Sequence, residues 1–344
     1  MMIRALEVSP SRRLEDLALV ERIVPQELSA GQIRVQMKAL GLNFRDLLVA
    51  TAHDRWASPG GRILGSDGAG VVTALGPGVS RFQVGDRVLS TILPNWIEGS
   101  LTAEKRMGAL GGPSTDGVFA EQVVLQESGV VLLPDYLSYL EGATLPVAAL
   151  TAWHALRRAN VLRNDATVLI EGSGGVSIFA IQMAVAAGAT VIAVARSDKK
   201  LERLKMLGAS AILNSSTTPD WGRRAFEIAD GKGVDAVIDI GGATTLSQAI
   251  EATTIGGTVS VVGVAGGLRL EVNLADIFQK NLRLDGIETG SRAMLEEMLS
   301  WFENNQLRPI FDKTFSFEDS RDAFLHLHEG SHVGKICIEL DRCV

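Results

Sequence analysis

Between Val168 and Lys200 the chain carries residues whose types and spacing suit the binding of a pyrophosphate. Gly172-Ser173-Gly174-Gly175-Val176-Ser177 keeps the G-x-G-x-x-G spacing, with Ser177 in the third glycine's place. In such a turn Gly172 permits the tight bend and Gly174 lets the backbone approach the phosphates. The third position needs only a small side chain for close packing of helix on strand. Gly172, Ser173, Gly174, Gly175 and Val176 are therefore the expected dinucleotide contacts, helped by the free N–H groups and positive dipole end of the helix that follows. The competing reading is an ordinary tight turn between strand and helix.

The next strand, Thr190 to Ala195, bears on which dinucleotide. NAD sites usually carry an acid about 20 residues after the glycines, where it takes the ribose hydroxyls. Here the strand ends Val194-Ala195-Arg196-Ser197 without a carboxylate, and Asp198 falls later, where it suits a helix start. Arg196, Ser197 and Lys200 can instead hold a 2′-phosphate, Arg196 through a charge-assisted fork. The expected cofactor is NADPH; a solvated basic helix start is the alternative. Gly241, Gly242, Val262, Gly263 and Val264 fall at the carboxyl ends of two further apolar runs, where open α/β sheets bind ligands, and are expected to cradle the nicotinamide ribose and carboxamide.

The elements that must position these residues follow from the apolar pattern. From Ala166 onward, continuous apolar runs (VLIEG, TVIAVA, AILNS, VDAVIDIGG, TVSVVGVAGG) alternate with helical stretches at Ser177 to Ala187, Lys199 to Leu207 and Leu246 to Thr253. That alternation predicts a parallel sheet covered on both faces, a doubly wound α/β domain. The first 150 residues differ: Ile33 to Leu40 alternates, Gly65 to Val72 and Gly85 to Ser90 read as short strands, and glycine and proline recur. This is expected to be a β-rich region with long loops. Leu145 to Leu162 reads as one helix leading into the nucleotide domain. Ala293 to Asn304 and Asp319 to His328 read as amphipathic helices before a closing strand at Lys335. The expected division is residues 1–149 with 289–344, and 150–288.

Composition narrows the class. At 344 residues, 46% hydrophobic and with 36 glycines, the chain can bury two cores and make many turns. A formal net charge of -7 argues against nucleic acid or an anionic membrane as partner. No run reaches the roughly 18 apolar residues of a membrane span, and the opening residues hold no apolar signal core. Only two cysteines occur, Cys337 and Cys343, too few for a disulfide framework or a four-cysteine zinc site. A cytoplasmic protein with a small-molecule substrate is expected.

Several local strings then point to one family. Gly65-Ser66-Asp67-Gly68-Ala69-Gly70-Val71-Val72 is similar to a GHE-x-x-G-x-V block, and Val84-Gly85-Asp86-Arg87-Val88 to a V-G-D-x-V turn. Gly76-Pro77-Gly78-Val79, Leu145-Pro146 through Thr151-Ala152-Trp153, and His332-Val333-Gly334-Lys335 extend the match along the chain. The whole resembles the medium-chain dehydrogenase/reductase superfamily. The resemblance implies a Rossmann sheet plus a β-rich GroES-like catalytic domain built from both chain ends, and a homodimer.

The departures are equally informative. In the zinc-dependent alcohol dehydrogenases of that family a cysteine and a histidine bind the metal. At the matching places this chain has Asn43 and Ser66, poor ligands for Zn²⁺. Asp67, His53 and Asp46 are the remaining candidates for a metal; none is expected. The chain resembles most the zinc-independent branch, the quinone oxidoreductases and enoyl reductases, and the string Gly41-Leu42-Asn43-Phe44-Arg45-Asp46 is similar to that of the enoyl-reductase modules. Those enzymes deliver hydride to an alkene conjugated to a carbonyl, where hydrogen-bond donors can stabilise the developing oxyanion without a metal. Reduction at the carbonyl itself, and NADPH binding without turnover, are the alternatives.

The resemblance assigns roles residue by residue. It implies that the Asn43 amide binds the nicotinamide ribose or donates to the oxyanion; a loop asparagine holding its own turn is the alternative. Thr151 matches a residue that touches the nicotinamide ring, against a helix-cap hydroxyl. His53 has a pKa suited to proton delivery, against a surface histidine beside Asp54, with water as the other proton source. Lys335 is placed to reach the phosphates, against a solvated lysine. Arg45 and Asp46 are expected to pair structurally. The polar segment from Thr91 to Phe119, with Trp96, is expected over the substrate cleft or in a dimer contact.

Overall fold

The computed structural model describes residues 2–51 and 56–340. The chain divides into two compact units, Met1–Leu150 with Gly290–Val344, and Thr151–Thr289.

The first unit is organised around the strand Gln32–Leu42, whose alternating sequence QIRVQMKALGL buries Ile33, Val35, Met37 and Leu40. It lies antiparallel between Lys335–Glu339 and Asp67–Leu75. The sheet continues through Phe311–Ser316 on one side, and through Arg87–Ser90 and Val130–Leu132 on the other. Gln122–Gln126 pairs with the first half of the central strand. Phe119 and Phe324, both fully buried, meet edge to face beneath the sheet, with ring centroids 6.2 Å apart, an arrangement favoured by the aromatic quadrupole.

This unit is β-rich, but helices interrupt it where the sequence pattern gave no warning. Phe44–Thr51 is helical, and Tyr139–Gly142 is a single turn fixed by a capping box between Ser138 and Glu141. The helix expected from Leu145 to Leu162 is in fact two pieces. Leu145–Ala149 forms a wide π-turn, in which the Leu150 N–H bonds to the Leu145 carbonyl, and a regular helix runs only over Leu150–Ala159. Pro146 lacks an N–H, and the Val147 N–H lies 3.4 Å from an Asp67 carboxylate oxygen, so the local pattern is not that of a plain helix. The segment from Thr91 to Phe119 has its own small core, where Ile92, Leu93 and buried Trp96 pack against Leu101 and Val147. Trp96 is thus a packing residue.

The second unit is a six-stranded parallel sheet in the order Ala211–Asn214, Thr190–Ala195, Thr167–Glu171, Val234–Asp239, Thr253–Val261, Arg283–Gly286. Val168, Leu169 and Ile170 are all fully buried, as expected for a strand covered on both faces. The helix Gly175–Ala186 buries residues on nearly every side. The order reverses between Thr167–Glu171 and Val234–Asp239, the topological switch point of a doubly wound sheet. No helix among the described residues is long and apolar enough to cross a membrane.

Candidate functional site

In the first unit, strand register assembles a buried polar cluster. Ile336 stands opposite Leu42 and Cys337 opposite Gly41, while Gly41 on its other side faces Asp67. One step further along the two antiparallel strands, Lys335 therefore meets Asn43, with Asp67 a strand away. The Lys335 ammonium donates to the Leu42 carbonyl at 2.6 Å, to Asn43 Oδ1 at 2.6 Å and to Asp67 Oδ2 at 3.3 Å. Lys335 is only 3% exposed and Asp67 not at all. A buried ammonium is tolerable only with such partners. Its three donors are engaged by protein atoms, so the expected reach of Lys335 to a phosphate is not what this arrangement provides.

Gly41 makes the close packing possible. A Cβ built there would lie 2.0 Å from the Ala143 carbonyl oxygen and 3.4 Å from Asp67 Cβ.

Asn43 precedes the helix Phe44–Thr51, and three residues on, Asp46 Oδ2 accepts the Asn43 backbone N–H at 2.8 Å. That is the returning half of a capping box. Asp46 therefore holds the turn, and the Asn43 side chain does not. The Asp46 carboxyl is fully buried, which pushes its pKa up to about 6; Asp67 adds to the rise, while Arg45, the Asn43 N–H and Lys335 oppose it. Arg45 Nη1 lies 3.5 Å from Asp46 Oδ1, forming the expected pair. Asn43 itself is 8% exposed, with its Oδ1 on Lys335 and its Nδ2 buried without a hydrogen-bond partner. Leaving such a donor unpaired costs about 1–3 kcal/mol, which an incoming acceptor would recover.

The donors here do not fit zinc. Asn43 and Ser66 supply neither thiolate nor imidazole. The Ser66 hydroxyl donates to Asp67 Oδ1 at 3.2 Å, and Lys335 already places a positive charge against Asn43 and Asp67. A divalent ion would meet that charge. Among the described residues no group of three or more His, Cys, Asp or Glu is arranged to hold a metal. His53 lies outside the described residues.

In the second unit the glycine-rich turn does fit a dinucleotide. Gly172 has φ +77°, a conformation that favours glycine, and its N–H bonds to the Val194 carbonyl at 2.7 Å. A Cβ on Gly174 would meet nothing within 4 Å, which leaves an open approach to the backbone. Ser177 is buried and donates its hydroxyl to the Glu171 carbonyl at 2.6 Å, which explains how a serine fills the third position. Gly174 is the N-cap of Gly175–Ala186 with no side chain capping it, so the first-turn N–H groups of Gly175 and Val176 are available to an anion. Ser173 is buried within the turn.

Arg196 is exposed at the end of Thr190–Ala195, and Ser197 heads the next helix without using its hydroxyl as a cap. Asp198, the first residue of that helix, accepts from the Asn214 amide at 2.6 Å. Lys200 lies on the same first turn. Gly241 and Gly242 form a turn after Val234–Asp239, and Val262, Gly263 and Val264 follow directly on Thr253–Val261. The two loops touch: the Gly266 N–H bonds to the Gly241 carbonyl at 2.7 Å.

The sequence reading missed Glu171 and Asp239. These end the two strands at the switch point, and both are buried. Burial drives the Glu171 carboxyl far above its ordinary range, and Asp239 beside it adds charge repulsion and a hydrogen bond that only the protonated acid can donate. Asp239 accepts from the Thr245 hydroxyl and, at 3.2 Å, from the Gly242 N–H. The pair thus braces the Gly241–Gly242 turn. The available signal was an acid at the end of an apolar run, one residue before Gly172 and two before Gly241. Thr151 is buried in the first turn of Leu150–Ala159; the π-turn ahead of it continues into that helix, so its hydroxyl is not at a cap.

Comparison with known proteins bears on the family. The alcohol dehydrogenase GroES-like domain family matches residues 29–135, and the zinc-binding dehydrogenase family matches residues 175–304. A zinc-type alcohol dehydrogenase-like protein of Schizosaccharomyces pombe is 36% identical over 324 residues, 92% of this chain and 93% of the relative. The chain belongs to the medium-chain dehydrogenase/reductase superfamily. Among solved members of that superfamily, an NAD-dependent alcohol dehydrogenase is 33% identical with a TM-score of 0.88, covering 98% of this chain and 100% of the other. The quinone oxidoreductase of Coxiella burnetii is 26% identical with a TM-score of 0.81, covering 99% and 100%. This superfamily member is an oxidoreductase with a nicotinamide-dinucleotide-binding fold.

Proposed function

We propose that the chain is an NADPH-dependent, zinc-independent reductase of activated carbon–carbon double bonds, in an enone or enoyl thioester, or of quinones. The observation that carries this reading is the buried, unpartnered Nδ2 donor of Asn43 at a position that offers no ligand for zinc. A bound reduced nicotinamide would supply the hydride. The glycine turn and the first-turn N–H groups of Gly175–Ala186 hold the pyrophosphate, and Arg196, Ser197 and Lys200 hold the 2′-phosphate. Thr151 and the Gly241 and Val262–Val264 loops position the nicotinamide end. Asn43 Nδ2 donates to the substrate oxygen on which negative charge develops, and water or His53 returns the proton.

A rival reading, reduction at the carbonyl or oxidation of an alcohol, is favoured by the names of two similar proteins, a zinc-type alcohol dehydrogenase-like protein and an NAD-dependent alcohol dehydrogenase. The test is nicotinamide oxidation by chelator-treated protein, offered enones, enoyl thioesters, quinones and ketones, with NADPH and NADH in parallel. Turnover of enones or quinones with NADPH, unchanged by chelator, is the expected result. Turnover confined to ketones, or lost on chelation and restored by zinc, would replace the proposed reading with its rival.

The homodimer implied by the family resemblance is supported by exposed Leu274, Phe278 and Leu284, which lie on or near the edge strand Arg283–Gly286. Sedimentation at two concentrations tests it.

A further inference from the structure

Lysine carries three N–H donors and no acceptor, so only the oxygen of an asparagine amide can face it. The 2.6 Å contact from Lys335 Nζ to Asn43 Oδ1 therefore fixes which way the Asn43 amide is turned. The other two protons of Lys335 are committed to the Leu42 carbonyl and to Asp67, so the ammonium cannot swing away without losing them. The backbone of Asn43 is tied separately, through Asp46. What remains is a single group with nothing to bond, Nδ2, which is forced to the side away from Lys335.

The same contact changes the strength of that donor. A positive charge on the amide oxygen draws electron density toward it and leaves the Nδ2 protons more positive. In a site this buried the effect is screened far less than in water. We infer that Lys335 is a positioning residue: its ammonium locks the Asn43 amide with the unpartnered Nδ2 turned away from Lys335 and polarises it, so that charge reaches a developing oxyanion through the amide. This inference rests on the proposed reductase reading and gives the Asn43 donor a source of positive charge that belongs to the chain. Lys335 acts through Asn43 and touches neither substrate nor cofactor.

The test separates this inference from the reading beneath it. In wild-type protein labelled with ¹⁵N at asparagine, the Asn43 side-chain amide gives two proton resonances, assigned by their loss in Asn43→Ala. These should move in Lys335→Met, whether or not any substrate is turned over; unchanged resonances overturn the inference. Because Lys335→Met leaves Asp67 unpaired, the charge-neutral double variant Lys335→Met with Asp67→Asn is measured alongside it, and a shift is expected in both. Kinetics then use whichever substrate wild type reduces. Lys335→Met should lower kcat by about tenfold to a hundredfold, somewhat less than the roughly hundredfold to thousandfold that outright loss of an oxyanion donor costs, with NADPH affinity by fluorescence titration unchanged. In an Asn43→Ala background Lys335→Met should have no further effect on kcat. Independent, multiplying effects, or weakened NADPH binding with kcat intact, would place Lys335 on the phosphates instead. Wild-type inactivity on enones and quinones would sink the reductase reading and leave the spectroscopic test standing.

Discussion

Glu171 and Asp239 end the two neighbouring strands between which the sheet order reverses, and both carboxyl groups are buried there. Burial, and then the charge of Asp239 beside it, push the Glu171 carboxyl well above its ordinary range. The pair then braces the turn at Gly242 through Asp239.

Stability should reflect this pair. Folding favours protonated Glu171, so above the ordinary value of 4.5 the folded state binds more protons than the unfolded chain. Stability contributed here is therefore greatest below that value and declines as pH rises toward the elevated folded value. Glu171→Gln keeps a donor for Asp239 and cannot ionise. Thermal unfolding from about pH 5 to about pH 9 should show a flatter alkaline decline in the variant than in wild type. An unchanged slope would remove Glu171 as its cause.

Asp46 makes the same kind of prediction in a lower window. Its folded pKa of about 6 stands above the ordinary 3.8, chiefly through burial. Stability should therefore fall as pH rises from about 4 to about 6, by up to about 3 kcal/mol. Asp46→Asn keeps an oxygen for the Asn43 N–H and abolishes that fall; Asp46→Ala loses the oxygen as well and should cost a further 1 kcal/mol or so. Urea unfolding across that window checks both.

Cofactor choice should depend on Arg196. Its replacement by Ala should raise KM for NADPH by about tenfold to a hundredfold, the worth of charged hydrogen bonds to a phosphate. KM for NADH should stay within about twofold. Equal losses with both cofactors would show that Arg196 does not read the 2′-phosphate.

Gly41→Ala should damage the polar cluster without touching any of its side chains. The new methyl group would sit 2.0 Å from the Ala143 carbonyl oxygen, so either the backbone at Ala143 or the Gln32–Leu42 strand must shift. Forced packing of this kind costs about 1–3 kcal/mol. The expected outcome is a lower unfolding temperature together with reduced kcat, and a variant with native values of both would show that the strand end tolerates displacement.

Much of this protein was determined by its sequence alone. The spacing of Gly172, Gly174 and Ser177, the alternating apolar strands and helices after Ala166, and the absence of cysteine and histidine at Asn43 and Ser66 are all local facts. They were enough for a doubly wound sheet and a dinucleotide turn, because turn chemistry and apolar period act over a few residues. The tertiary structure decided the rest. Lys335 and Asn43 are separated by 292 residues and meet only because Ile336 pairs with Leu42. Glu171 and Asp239 become neighbours only when three crossovers lay their strands side by side. Register and strand order are set by the packing of whole elements, and burial then determines which charge is kept and which proton is held. No window of sequence contains that information.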